Sequence, residues 1–393
     1  MNKPKVNKRI LALDILRGFT IAGMILVNNP GSWGHIYAPL RHAEWNGLTP
    51  TDLVFPFFMF IMGISTYISL KKYNFEFSQS AALKIVKRTI VIFLVGCAIG
   101  WFSRFCRYWV TAPEDLSFFE NLWASVWTFD RMRILGVMQR LALCYGAASI
   151  VALTVKHKRI PYIIATLLIG YFVILMCGNG YEYNETNILS IVDRTILTPV
   201  HMYKDNGIDP EGLLSTLPSI AHVLLGFYVG KLMLDGNKSQ DRMSFLNSQI
   251  ITLFLVGTIL TFAGFLLSYG CPINKKIWSP TFVLTTCGLA SSFLALLIWI
   301  IDVKGKKKWS LFFEAFGVNP LFMYVLGGVL SILFGCIRFP WEDGMISIHT
   351  FLYKIVLMPI FGETGGSLAF ALLFVTINWC IGYQLYKRKI YIK

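Results

Sequence analysis

"WGHIYAPLRHAEWNGLTPTDLVFPFFMFIMG", residues 33–63, sets two histidines, an arginine, a glutamate and an aspartate immediately before a long apolar run. The run continues to residue 70, about the 20 residues a helix needs to cross a bilayer. Ionisable groups at the threshold of such a helix form either a crowded loop or a reaction centre at a membrane edge.

The same apolar signal recurs along the chain. Spans are expected at 10–28, 51–70, 89–103, 134–155, 161–177, 213–230, 249–267, 282–301, 311–336 and 366–386. Of the 393 residues, 55% are hydrophobic and 15% charged, against about 25% charged in soluble domains. No polar stretch is long enough to form a soluble domain. The expectation is one all-α, polytopic transmembrane domain over 1–393, with about ten helices. The first apolar segment is not a signal peptide, because Asp14 and Arg17 interrupt it and no small-residue cleavage pattern follows.

Charge orients the chain. With "MNKPKVNKR" in the cytoplasm, the cytoplasmic turns contain "KKYNFEFSQSAALKIVKR", "KHKR", "KLMLDGNKSQDR" and "KGKKK", and the chain ends in "YKRKIYIK". These segments hold 23 of the 36 Lys and Arg residues, as the positive-inside rule requires when both termini are cytoplasmic. That placement accounts for much of the net charge of +15 without a nucleic-acid partner. Segment 345–363 is apolar, but "HTFLYK" and Pro359 interrupt it, so an interfacial or re-entrant helix is expected there. Residues 29–48 then form a non-cytoplasmic loop, roofed by the loops near 104–131 and 178–211. Trp33, Tyr37, Trp45, Trp109, Trp123, Trp127 and Trp278 suit either a membrane–water boundary or stacking on a sugar ring.

Several polar groups fall within the spans: Asp14, Arg17, Asp52, Arg140, His222, Glu314 and Asn319. Charges at such depth normally face a partner or a cavity. Asp14 and Arg17 share one helical face and suit a structural pair, while His222 suits a buried packing role. Asn28 and Asn29 end the first span, where capping explains at least one of them. His157 suits a solvated loop, and His35, His201 and His349 lack a supporting constellation. His42 differs, having Arg41, Glu44, Asn46 and Asp52 close by at a helix entrance. It suits either catalysis or a loop-ordering hydrogen bond. No metal-ligand spacing accompanies it, and the eight scattered cysteines contain no CxxC pair.

"LDILRGFTIAGMILVNNPG" at 13–31 and "HAEWNGLTPTDLVFPFFMFIMG" at 42–63 are joined by "MRILGVMQRLAL" at 132–143 and "LLSTLPSIAHVLLGFYVG" at 213–230. "NKKIWSPTFVL" at 274–284 and "FGVNPLFMYV" at 316–325 follow in order. With these segments the chain resembles the heparan-alpha-glucosaminide N-acetyltransferase family. The resemblance implies transfer of acetyl from cytosolic acetyl-CoA to a glucosamine amine across the membrane. It implies that His42 is the catalytic histidine and that Asn28, or alternatively Asn29, is the site asparagine. Asp52 would orient His42 or bind the sugar, with Glu44 a weaker candidate for the same tasks. Glu44, Trp45 and Asn46 would contact the acceptor, and Arg140, Asn319 and Asn29 the coenzyme. A homodimer is implied as well.

Because the chain starts almost at the catalytic region, the expected form is a bacterial, inner-membrane homologue with a small amino sugar or oligosaccharide as acceptor and membrane lipid around it. A histidine base suits an amine nucleophile near neutral pH. The competing functions are a secondary transporter of amino sugars, an envelope O-acyltransferase and a structural membrane protein.

Overall fold

The structure is a computed structural model, and it describes residues 10–113, 115–203, 205–235, 241–342 and 344–392. The N-terminal basic stretch 1–9 lies outside the described residues. In chain order the helices are α1 Leu11–Asn28, α2 Pro50–Lys71, α3 Gln79–Thr111, α4 Phe118–Val126, α5 Val137–Thr154, α6 Ile160–Cys177 and α7 Ile188–Leu197. They continue with α8 Thr216–Asp235, α9 Arg242–Leu267, α10 Pro280–Leu297, α11 Leu311–Val318 and α12 Pro320–Cys336. A two-stranded antiparallel hairpin follows, β1 Arg338–Trp341 with β2 Gly344–Ser347. The chain closes with the short α13 Ile348–Thr350, a π-helical stretch Phe351–Leu357 and α14 Met358–Lys387.

Eight helices among the described residues are long and apolar enough to cross a membrane. They number nine when Lys308–Val318 and Pro320–Cys336, bent by 79°, count as one broken span. The protein is thus polytopic and almost wholly helical. The one expected span left over, 89–103, lies inside the 33-residue α3 and is not among the eight; Lys84, Lys87, Arg88, Arg104 and Arg107 flank its apolar stretch. The small hairpin is the exception to an all-helical fold.

Segment 345–363 departs from expectation in part: residues 345–347 belong to β2, and neither "HTFLYK" nor Pro359 interrupts the helix that follows. It is helical from residue 348, and Pro359 sits in the first turn of α14, where a missing N–H costs little. The break comes at Gly362, whose φ of 72° and ψ of 177° lie in a region essentially confined to glycine. The chain then packs back on itself. A Cβ on Gly366 would lie 2.9 Å from the Met358 Cα, and the Tyr353 hydroxyl donates to the Glu363 carbonyl at 3.2 Å.

Helix α2 is the central element for the site. Its Gly63 meets α8 so closely that a Cβ there would stand 2.2 Å from the Val223 carbonyl oxygen. Small residues at such crossings let backbones approach and gain dispersion over the whole contact. Arg17 of α1 binds Asp14 at 3.1 Å and donates to Ser65 of α2 at 2.8 Å, so that pair ties helices together.

The loops after α1, α4, α6, α7 and α9 gather at one end. There the Gly47 N–H donates to the Ile273 carbonyl, the Trp45 indole to the Tyr181 carbonyl, and the Ile134 N–H to the His201 carbonyl. The Lys71–Asp235 pair and the His157–Phe75 ring contact mark the opposite end.

Candidate active site

Asp52 is the third residue of α2, and its carboxylate folds back over the helix start. Oδ2 accepts the Thr49 N–H at 3.1 Å, the Thr49 hydroxyl at 2.9 Å and the Ala43 N–H at 3.1 Å. A carboxylate at a helix N-terminus satisfies amides that the helix cannot, and it also meets the positive end of the helix dipole. These contacts leave Oδ1 pointing at the loop, where it lies 2.7 Å from His42 Nδ1. Gly47, at φ 126°, makes the turn that brings residues 42–46 back over α2; a side chain in that conformation would be strained.

The Asp52 side chain is 1% exposed and that of His42 is 42% exposed. The arrangement is asymmetric: one ring nitrogen is held by a buried carboxylate, while the imidazole as a whole remains reachable. A carboxylate on Nδ1 fixes ring orientation and places the N–H on that nitrogen, leaving Nε2 with a lone pair. Such a histidine can accept a proton from a nucleophile.

A third group enters from the loop between α9 and α10. Lys275 Nζ stands 3.3 Å from Asp52 Oδ1 and 3.1 Å from His42 Nδ1. Burial pulls its ammonium below the ordinary lysine range, with Asp52 and Glu211 opposing. Lys275 was not singled out from the sequence. It lies 233 residues from His42, and no local pattern joins them, although the stretch 274–284 had stood out as a motif.

The supporting loops are bound to one another. Asn274 donates its amide to Asn46 Oδ1 at 3.1 Å. Trp45 stacks on Tyr183 with ring centroids 4.5 Å apart, and its indole N–H reaches the Tyr181 carbonyl at 2.8 Å. Lys276 joins the same platform through the Tyr183 hydroxyl at 2.6 Å and Asp205 at 2.9 Å. Of the three residues expected to contact the acceptor, Glu44 and Asn46 are exposed, and Trp45 and Asn46 also hold the loop in place.

Asn28 and Asn29 differ sharply. Asn29 donates its amide to the Ile25 carbonyl at 2.7 Å and so closes the end of α1. Asn28 is exposed, and among the described residues its amide makes no hydrogen bond. The end of α1 and the start of α2 lie side by side, since Gly23 packs on Val54. Asn28 and His42 therefore share one end of the bundle without a hydrogen bond joining them among the described residues.

Arg140 is 1% exposed. It donates to Ser219 at 3.2 Å, the Gly212 carbonyl at 3.0 Å and Ser215, and it lies over the Trp278 ring. Trp278, expected at a membrane boundary or a sugar, is instead core, packed on Phe55, Phe282 and His222. Asn319 sits at the break between α11 and α12 and bridges to the C-terminal segment: its amide donates to the Ile390 carbonyl and its Oδ1 accepts the Ile392 N–H, both at 2.8 Å. His222 donates through Nε2 to the Pro56 carbonyl at 2.9 Å and is fully buried.

Near the site entrance Arg133 pairs with both Asp209 and Glu211, a cluster that was not anticipated from the sequence. No group of three or more His, Cys, Asp or Glu residues that could hold a metal occurs among the described residues.

Comparison with known proteins bears on this geometry. A family model described as heparan-alpha-glucosaminide N-acetyltransferase, catalytic, matches residues 9–269, a range that contains Asn28, His42, Asp52 and Arg140 but not Lys275 or Asn319. The chain is 27% identical over 374 residues to heparan-alpha-glucosaminide N-acetyltransferase of Homo sapiens, covering 81% of this chain and 52% of that protein. Against the protein of that name from Mus musculus it is 26% identical over 445 residues, covering 98% and 60%. The chain thus spans little more than half the length of these relatives. Both relatives are mammalian, which corrects the expectation of a bacterial homologue in an inner membrane. That expectation rested on where the chain begins, and a start point carries no physical information about the host or the membrane. What stands is a membrane protein with a family signature over most of its length. The chain belongs to the heparan-alpha-glucosaminide N-acetyltransferase, catalytic, family.

Proposed function

We propose that this protein transfers the acetyl group of acetyl-CoA to the amino group of glucosamine or of a glucosamine-terminated saccharide, with His42 as general base. The observation that carries this reading is the His42–Asp52 pair: Nδ1 is held at 2.7 Å by a buried carboxylate, and the ring is otherwise accessible.

The neutral 2-amino group attacks the thioester carbonyl, and His42 Nε2 takes a proton from nitrogen as the N–C bond forms. The C–S bond then breaks, and the departing thiolate receives that proton from the imidazolium. Asp52 stabilises the transient imidazolium without itself taking the proton. Asn28, with its amide uncommitted, would donate to the carbonyl oxygen as negative charge develops there. In this reading the coenzyme enters from the cytoplasmic end of the bundle. It threads past Asn319, while Arg140 fastens α5 to α8, and the acceptor binds on the far side at the loop containing Glu44, Trp45 and Asn46.

The test is transfer of radiolabelled acetyl from acetyl-CoA to glucosamine and to glucosamine-terminated oligosaccharides by purified protein, alongside His42→Ala. Wild type is expected to form product, and the variant to lose about 10²–10⁴-fold in rate while still binding the coenzyme. Equal rates would remove His42 from its role. No wild-type product across the panel, with saturable uptake of amino sugar into vesicles, would overturn the reading in favour of transport.

A further inference from the structure

The site contains a cation that general-base chemistry does not by itself require. Lys275 Nζ is 3.1 Å from His42 Nδ1, yet an ammonium has only hydrogens to offer. Nδ1 already shares a hydrogen with Asp52 Oδ1 at the shorter distance of 2.7 Å. The Lys275 ammonium therefore donates to Asp52 Oδ1, at 3.3 Å, and lies against the same edge of the imidazole.

The placement is built. The Ile273 carbonyl accepts the Gly47 N–H at 2.8 Å, and Asn274 holds Asn46. Asn274 Oδ1 accepts the Ile277 N–H, and Ser279 Oγ accepts the Asn274 N–H. Trp278 completes the turn at a φ of 53°. A left-handed conformation is uncommon for a bulky residue, and the fully buried indole offsets its cost. The turn that presents Lys275 is thus fastened to the His42 loop on one side and to the core on the other.

We propose that Lys275 is a positioning residue for His42: it donates to the carboxylate that holds the imidazole, offsets the Asp52 charge, and sets the pH at which the ring gains its second proton. This rests on the reading of His42 as the base. A carboxylate alone beside a histidine favours the imidazolium, and a base that is already protonated cannot act. Lys275 opposes that bias while leaving the hydrogen bond to Asp52 intact. The charged groups about His42 are Asp52 from α2 and Lys275 from the loop before α10. Glu211, in the loop before α8, acts on Lys275 and is itself paired with Arg133. Arg41 and Glu44 on the histidine's own loop are exposed.

The test reads His42 directly. Diethyl pyrocarbonate modifies histidine only as the neutral imidazole, so its reaction at His42 itself, located by mass spectrometry from pH 5 to 9 on the full chain in detergent, gives the titration midpoint. Lys275→Met is expected to raise the midpoint by about one unit, and Lys275→Arg to leave it near the wild-type value. Lys275→Gln, which keeps a hydrogen-bond donor without the charge, provides a second uncharged variant should Lys275→Met not fold, and is expected to shift the midpoint equally. An unchanged or lowered midpoint in either folded uncharged variant overturns the proposal. The acid limb of kcat/KM for acetyl transfer is expected to move upward by the same amount. A shifted midpoint without acetyl transfer by the wild type would sink the acetyltransferase reading and leave the Lys275–His42 coupling standing.

Discussion

His42 and the buried pair of His222 and Arg140 show two ways in which one bundle treats groups that hydrocarbon would reject. Around Arg140 the polar contacts are to Ser215, Ser219 and the Gly212 carbonyl, with the Trp278 ring against the guanidinium. His222 is fully buried nearby, bonded to the Pro56 carbonyl. Around His42 the partners are a carboxylate and an ammonium, both on the Nδ1 edge, and the remainder of the ring is accessible. In the first region the hydrogen bonds fasten α5 to α8 and the loop before it. In the second they hold a side chain whose remaining edge stays exposed. A polar group at a membrane protein's core becomes chemistry only when its fixed contacts leave an acid–base atom open.

Arg140→Ala tests the closed half of this contrast and carries the largest expected effect after His42→Ala. It strips two serines and a carbonyl of their donor and leaves a void beneath Trp278. The cost is about 3 kcal/mol of stability, read as a lower melting temperature in detergent. Coenzyme affinity per folded molecule should not change. A variant that melts like the wild type but loses the coenzyme would break the contrast and place Arg140 on the passage.

The two asparagines at the end of α1 sharpen it further. Asn28→Ala is expected to lower kcat about 10²-fold, the usual loss of one oxyanion donor, without a change in melting temperature. Asn29→Ala should do the reverse, costing about 1 kcal/mol through the lost bond to the Ile25 carbonyl and sparing kcat. Exchanged outcomes would move the site asparagine to Asn29.

A last test concerns Asp193, which lies in α7. Its carboxyl is fully buried; Oδ1 accepts two backbone N–H groups, and Oδ2 has no partner among the described residues. Burial raises its pKa from 3.8 to about 6. The folded state then binds the proton more tightly than the unfolded chain. Its contribution to stability is fully present below pH 3.8 and is lost as pH rises through about 6. Asp193→Asn should remove this loss, a gain of roughly 2 kcal/mol at pH 7.5 and none at pH 4. Melting curves of the two proteins at both pH values check it; parallel curves would show that Asp193 stays charged at no cost.

Much of the bundle is legible in sequence because a 20-residue apolar window is a local quantity. The expected spans at 10–28, 51–70 and 161–177 coincide closely with α1, α2 and α6. The His42–Asp52 pair is legible for a related reason: ten residues and one tight turn separate its members. Segment 345–363 was read correctly as helical in the main, but Pro359 drew attention from Gly362, because proline is a breaker by composition and glycine only by the φ it adopts. Trp278 was misplaced because amphipathic aromatics suit boundaries in general. Whether a particular ring lies under an arginine is settled by packing alone.

By itself the sequence determined a polytopic helical membrane protein, its family, and the histidine and aspartate at the mouth of α2. Each of these depends on residues close in the chain or on patterns repeated along it. Only the tertiary structure decided that Lys275 completes that pair, that Arg140 turns inward to serines, and that Asn29 caps a helix while Asn28 does not. Those outcomes depend on contacts between loops far apart in sequence. Hydropathy can place a charge at a given depth, but only packing decides which neighbour it meets and which of its atoms stays open.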